Sequence, residues 1–142
     1  MQIGIAGAHM TKRILVVEDN DLNRKLFCDV LAAGGFAVEG VADGNIAIDT
    51  ARAFTPNLVV MDIQLADISG LDLIATMKGD AELRGVPVLA VTAYAGKGDE
   101  ERIRASGAEG YLSKPVSIGP FMAAVRGLVD AAGTAAANPA AA

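Results

Sequence analysis

Residues 58–65 read LVVMDIQL, four apolar residues running into the carboxylate of Asp62. An apolar run with no polar alternation is the pattern of a strand covered on both faces. A lone carboxylate buried at its end is costly unless paired or neutralised. Asp62 therefore sits at an exposed strand end or meets a cation, and the rest of the chain decides which.

Working outward, residues 14–17 form a second continuous apolar run, followed by the acidic turn EDND, where Asn20 or Asp21 is placed to cap a helix. Leu22, Leu26, Val30 and Leu31 recur at helical spacing, and Gly34-Gly35 stops that helix. Residues 36–41 read as a strand and 43–54 as a helix that Pro56 ends, ahead of the strand at 58–61. A loop to Gly70, a helix over 71–78 and a strand over 86–91 follow. Residues 99–105 predict a weaker helix closed by Ser106-Gly107, and 109–112 a short fifth strand. Ile118, Phe121, Met122, Val125, Leu128 and Val129 form the stripe of a core-facing last helix. Five strands alternating with five helices predict an α/β, doubly wound parallel sheet.

The 142 residues fit one domain, and 52% hydrophobic content with 4% aromatics predicts a core of Val, Leu, Ile and Ala. A net charge of −5 argues against nucleic-acid or anionic-membrane partners. No apolar run reaches bilayer-spanning length. A single cysteine, Cys28, excludes an internal disulfide and fits a reducing compartment. Residues 1–10 lack the pattern of a secretory signal and read as an extension ahead of the domain, which covers 11–131; the alanine-rich stretch 132–142 is expected to be a disordered tail.

Doubly wound sheets place their sites at the carboxyl ends of strands. There the first strand ends on Glu18-Asp19, the third on Asp62 and the fourth on Thr92, with Lys114-Pro115 just after the fifth. Three gathered carboxylates repel one another, and a hard cation such as Mg2+ relieves that repulsion. Asp19 and Asp62 are the expected direct ligands, Glu18 acts mostly through water, and the backbone carbonyl of Gln64 is a further candidate. Lys114 supplies an ammonium for Asp62 or for a phosphoryl group on it, and the Thr92 hydroxyl can bind a phosphoryl oxygen. Tyr111 reads as a packing residue with its hydroxyl at the rim.

EDN at 18–20, MD at 61–62, VTA at 91–93 and YLSKP at 111–115 together resemble the receiver domain of bacterial response regulators. The stretches VEDNDLNRKLF, MDIQLADISGLDL and GDEERIRASGAEGYLSKP look most like the DivK-type single-domain regulators of cell-cycle and polarity control. The resemblance implies a flavodoxin/CheY-like sheet of order 2-1-3-4-5. It makes Asp62 the phosphoacceptor for a histidine kinase or histidine phosphotransferase, and Glu18 and Asp19 the holders of Mg2+. Thr92 and Lys114 bind phosphoryl oxygens, Tyr111 is the switch aromatic that follows Thr92, and the Lys114-Pro115 bond is cis. It implies a cytoplasmic, monomeric signalling domain, not an enzyme with a free substrate, whose output is contact with a downstream kinase or adaptor. The glycine-rich YAGKGDEERI segment has few apolar anchors beyond Ile103, and its helix is the expected mobile, low-stability element read by partners. One departure is Ala66, where the family usually has proline; it is expected to loosen the loop after the third strand.

Three other readings compete. The chain could be a receiver domain cut from a longer regulator. A Mg2+-dependent phosphatase of the haloacid dehalogenase kind wants a second aspartate two positions after the first, where this chain has Gln64. A flavin binder of flavodoxin type needs a phosphate loop that EDND would repel. His9 lies in the leading extension, and Cys28 reads as core packing.

Overall fold

The computed structural model describes residues 11–93 and 96–137, with the side chains of Lys97 and residues 133–137 excepted. The expected leading extension, His9 within it, and residues 138–142 lie outside the described residues.

The elements alternate as β1 (Arg13–Val17), α1 (Asp21–Ala33), β2 (Ala37–Val41), a 3-10 turn (Gly44–Ile46), α2 (Ala47–Phe54), β3 (Leu58–Asp62), α3 (Gly70–Lys78), β4 (Val88–Thr92), α4 (Lys97–Ala105), β5 (Gly110–Ser113) and α5 (Ile118–Ala137). The five strands are parallel in the order β2-β1-β3-β4-β5. Both faces are covered, so β3 and β4 are buried along their whole length. Leu15, Val17, Val59, Met61, Val88 and Ala90 point to one side, against Ala47 and Ala51 of α2, Leu73, Ile74 and Met77 of α3, and Ile103 of α4. Ile14, Val16, Leu58, Val60, Leu89 and Val91 point to the other, against Phe27 and Leu31 of α1 and Phe121, Val125 and Val129 of α5. The unbroken apolar runs in the sequence are this two-sided burial.

Asn20 is the cap of α1, its side chain accepting from the Asn23 N–H at 2.9 Å. Gly34 closes that helix, and Gly35 takes φ +97°, a left-handed conformation that side chains resist. The sequence stripe of α1 holds at its end, where Leu31 is buried and Val30 packs against the core, but Leu22 and Leu26 are 76% and 45% exposed and Phe27 enters the core in their place. The set Asn23-Phe27-Leu31 has the same four-residue spacing as Leu22-Leu26-Val30 but lies a further 100° round the helix. Phe27 decides the rotation by stacking on Phe121, ring centroids 5.1 Å apart. In α5, Ile118 is likewise exposed at 57%, and Phe121, Val125 and Val129 form the buried line. That helix continues past residue 131 to Ala137, so the first part of the expected tail is helical; alanine is the strongest helix former.

Gly70 fixes where α3 begins. A Cβ there would lie 2.2 Å from the Asp62 carbonyl oxygen and 2.8 Å from the Ile63 Cα. Its N–H donates to the Ile63 carbonyl at 3.0 Å, folding the loop tightly back onto the end of β3. Among the described residues no helix is long and apolar enough to cross a membrane.

Candidate functional site

Strand register brings the polar ends together. Val17 pairs with Met61, Asp62 with Val91 and Thr92 with Ser113. The next residues along β1 are therefore Glu18 and Asp19, beside Asp62, and the residue after β5 is Lys114, beside Thr92. Glu18, Asp62 and Thr92 are the buried polar residues of the described chain, at 1%, 3% and 1% exposure.

Lys114 answers the question that Asp62 poses. Its ammonium lies 3.0 Å from Glu18 Oε1 and 3.2 Å from Asp62 Oδ2, bridging the first strand end to the third. The Lys114 backbone N–H donates to the Thr92 carbonyl at 2.7 Å, and the Lys114-Pro115 peptide is cis. Burial works to lower the Lys114 pKa, but Glu18 and Asp62 outweigh it and hold the ammonium above its ordinary range. Glu18 is pushed up, first by burial and then by its hydrogen bond with Asp62, against Lys114 and the Asn20 N–H, which donates to Glu18 Oε2 at 3.1 Å. Arg24 reaches back from α1, its Nη1 donating to the Glu18 carbonyl at 3.0 Å.

Glu18, Asp19 and Asp62 each offer a carboxylate oxygen, all within 4.8 Å of one another. Three carboxylates against the single Lys114 ammonium leave a surplus of two negative charges in a largely buried corner. All-oxygen donors with that surplus fit a hard divalent cation.

Gln64, expected to offer its backbone carbonyl, is engaged through its backbone N–H and its carboxamide. Its N–H donates to Asp62 Oδ1 at 3.0 Å. Its side chain crosses to β4, where Nε2 donates to Thr92 Oγ1 at 2.7 Å and Oε1 accepts from the Ala93 N–H at 2.9 Å. The Ala66 N–H donates to Asp19 Oδ2 at 2.7 Å. Tyr111 stands further out on β5, its hydroxyl donating to Glu100 Oε1 of α4 at 2.8 Å, with the Arg104 guanidinium 5.5 Å from its ring centroid.

Sequence reasoning named Glu18, Asp19, Asp62, Thr92 and Lys114, and these gather at one sheet end. It missed the Gln64 carboxamide, the backbone N–H groups of Ala66 and Ala93, and Glu100 as the partner of Tyr111. Backbone donors carry no residue-type signal, and KGDEERIR offers several acidic residues of which packing selects one.

The site is thus an acidic cluster and a lysine at the carboxyl edge of a five-stranded parallel sheet. A profile of the response regulator receiver domain matches residues 14–126. The chain belongs to the response regulator receiver family of two-component systems. It is 50% identical over 117 residues to the polar-differentiation response regulator DivK of Brucella ovis, covering 82% of this chain and 95% of that protein. A CheY-like receiver domain protein from Methanospirillum hungatei superposes with a TM-score of 0.81 at 25% identity, covering 87% of this chain and 98% of the other. The receiver domain of a Pseudomonas aeruginosa sensor histidine kinase, solved with a magnesium ion in its active-site cleft, gives 0.78 at 29% identity, covering 84% and 98%.

Proposed function

We propose that this chain is a phosphoacceptor in a phosphorelay, taking a phosphoryl group on Asp62 from the histidine of a sensor kinase or phosphotransferase. The observation that carries this reading is the Lys114 ammonium held between Glu18 and Asp62, beside a third carboxylate at the sheet edge. In the transfer, an Asp62 carboxylate oxygen forms the new P–O bond as the P–N bond to the donor imidazole breaks. The bonding pair goes to the ring nitrogen, which leaves as neutral imidazole once protonated. Two anions must meet for this, so the protein's contribution is positioning and charge neutralisation. Lys114 stands close enough to Asp62 to neutralise an equatorial oxygen, and Thr92 supplies a hydroxyl from the neighbouring strand. Mg2+, held by Glu18, Asp19, Asp62 and the Gln64 backbone carbonyl, supplies further charge neutralisation when bound.

Loaded with phosphate, the domain signals by a changed surface. A modification shifts a conformational equilibrium only through contacts that differ between the two states. Thr92 and Lys114 turning to the phosphoryl group, with Tyr111 moving inward from Glu100, provide that difference. The readers are proteins, a downstream kinase or adaptor, and the domain works as a cytoplasmic monomer without nucleic acid. The half-identity to a polar-differentiation regulator supports a role in polarity or cell-cycle control. The only catalysis is of its own phosphoryl transfer and slow dephosphorylation. Incubation with candidate phosphorylated kinases tests the reading: label transfers to the intact protein, and none transfers to Asp62→Asn.

A further inference from the structure

The Gln64 side chain holds two hydrogen-bonding groups on the ground beside Asp62. Asp62 pairs with Val91 across the sheet, and the Ile63 N–H donates to the Val91 carbonyl at 3.0 Å. Thr92 and Ala93 therefore continue β4 alongside Asp62, Ile63 and Gln64. The carboxamide orientation follows from chemistry. The Ala93 N–H can only donate, so it takes the carboxamide oxygen, and the NH2 is left for the Thr92 hydroxyl, which accepts.

A phosphoryl group on Asp62 would compete with Gln64 for one of these partners. Its oxygens accept only: the Thr92 hydroxyl can donate to one while still accepting from Gln64, but a neighbouring N–H serves a phosphoryl oxygen only when no other acceptor holds it. The Ala93 N–H points at Gln64 Oε1 at 2.9 Å, and one N–H has one hydrogen to give. Gln64 is anchored at its own N–H to Asp62 Oδ1, so its side chain stays within reach of this corner.

We propose that the Gln64 carboxamide oxygen is an internal stand-in for a phosphoryl oxygen, occupying the Ala93 N–H in the unmodified protein and released from it when Asp62 is loaded. This rests on the phosphoacceptor reading of Asp62. Gln64 is a positioning residue that raises the threshold for loading, because its hydrogen bond from the Ala93 N–H must be given up before a phosphoryl oxygen can take its place.

The test is the affinity for beryllofluoride, a non-covalent tetrahedral analogue of the phosphoryl group, measured at saturating Mg2+ by the shift of the Thr92 and Ala93 amide resonances. Gln64→Met keeps the length of the side chain and removes both hydrogen-bonding groups. It is expected to bind the analogue about tenfold more tightly, the factor for one hydrogen bond of net worth about 1.4 kcal/mol. Gln64→Ala gives the same direction should methionine pack badly. Gln64→Glu, whose carboxylate accepts more strongly from the Ala93 N–H and repels the analogue, is expected to bind it more weakly. Equal or weaker binding by both Gln64→Met and Gln64→Ala overturns the proposal, since Gln64 would then brace the site or ligate the analogue. The two failures are distinguishable. Absence of saturable binding to the unsubstituted protein overturns the phosphoacceptor reading along with the stand-in. Binding that Asp62→Asn abolishes but the Gln64 variants leave unchanged overturns the stand-in alone.

Discussion

The Ala66 N–H donates to Asp19 Oδ2 at 2.7 Å, tying the loop after β3 to a carboxylate of the acidic cluster. Proline at this position would have no hydrogen to offer. Alanine here therefore adds a tie where it was expected only to loosen the loop. Ala66→Pro should remove a hydrogen bond to a charged group and recover part of the loss through a stiffer unfolded chain. The expected net cost to the metal-free protein is about 1 kcal/mol, read from the urea midpoint. A variant as stable as the parent would show that the tie contributes nothing.

Lys114 is the cation that makes two buried carboxylates tolerable. Lys114→Ala leaves Glu18 and Asp62 facing each other without it, at a cost of roughly 1–2 kcal/mol after discounting the partial exposure of the lysine. Added Mg2+ should then raise the melting temperature of the variant more than that of the parent, because the metal replaces the missing charge. Equal Mg2+ increments in both proteins would mean that the ammonium and the metal do not share this corner. The variant should still accept phosphate on Asp62 but fail to change its affinity for a partner protein on loading.

Much of this was legible in the sequence, for a physical reason. A strand buried on both faces is an unbroken apolar run, so its end is marked by the first polar residue, and in a parallel sheet all such ends fall on one edge. That is why Glu18, Asp19, Asp62, Thr92 and Lys114 could be named from spacing and resemblance. The rotation of α1 could not be read, because the line Leu22-Leu26-Val30 and the line through Phe27 and Leu31 have equal spacing, and the stacking of Phe27 on Phe121 separates them. Backbone donors such as those of Ala66 and Ala93 were invisible for a different reason: every residue but proline has one.

Tyr111 and Glu100 give a pH signature for the docking of α4 on β5. The hydrogen bond from Tyr111, and then Arg104, lowers the Glu100 pKa, so its contribution is complete above the ordinary value of 4.5 and is lost as pH falls through the lowered folded value. The same bond raises the Tyr111 pKa, so that contribution is complete below the ordinary 10.0 and is lost as pH rises through the raised folded value. Amide protection factors in α4, corrected for the intrinsic pH dependence of exchange, should fall at both extremes in the parent, and Glu100→Gln should weaken the acid limb. An acid limb unchanged in that variant would remove Glu100 as its origin.

Gly70 lets the loop fold back on the end of β3, and an added Cβ would meet backbone, which cannot turn aside as a side chain can. Gly70→Ala should cost about 2 kcal/mol in urea denaturation, within the range for overpacking, and should move the amide resonances of Asp62 and Ile63. Unchanged stability would mean that this approach is looser than 2.2 Å implies.

The central claim is that Asp62 is the group that accepts phosphate, and it is tested most directly by intact mass after exposure to phosphoramidate, a small P–N donor, with Mg2+. The account predicts one added phosphoryl group on the parent, released by mild base as an acyl phosphate, and none on Asp62→Asn. An equal gain of mass on both proteins would contradict it.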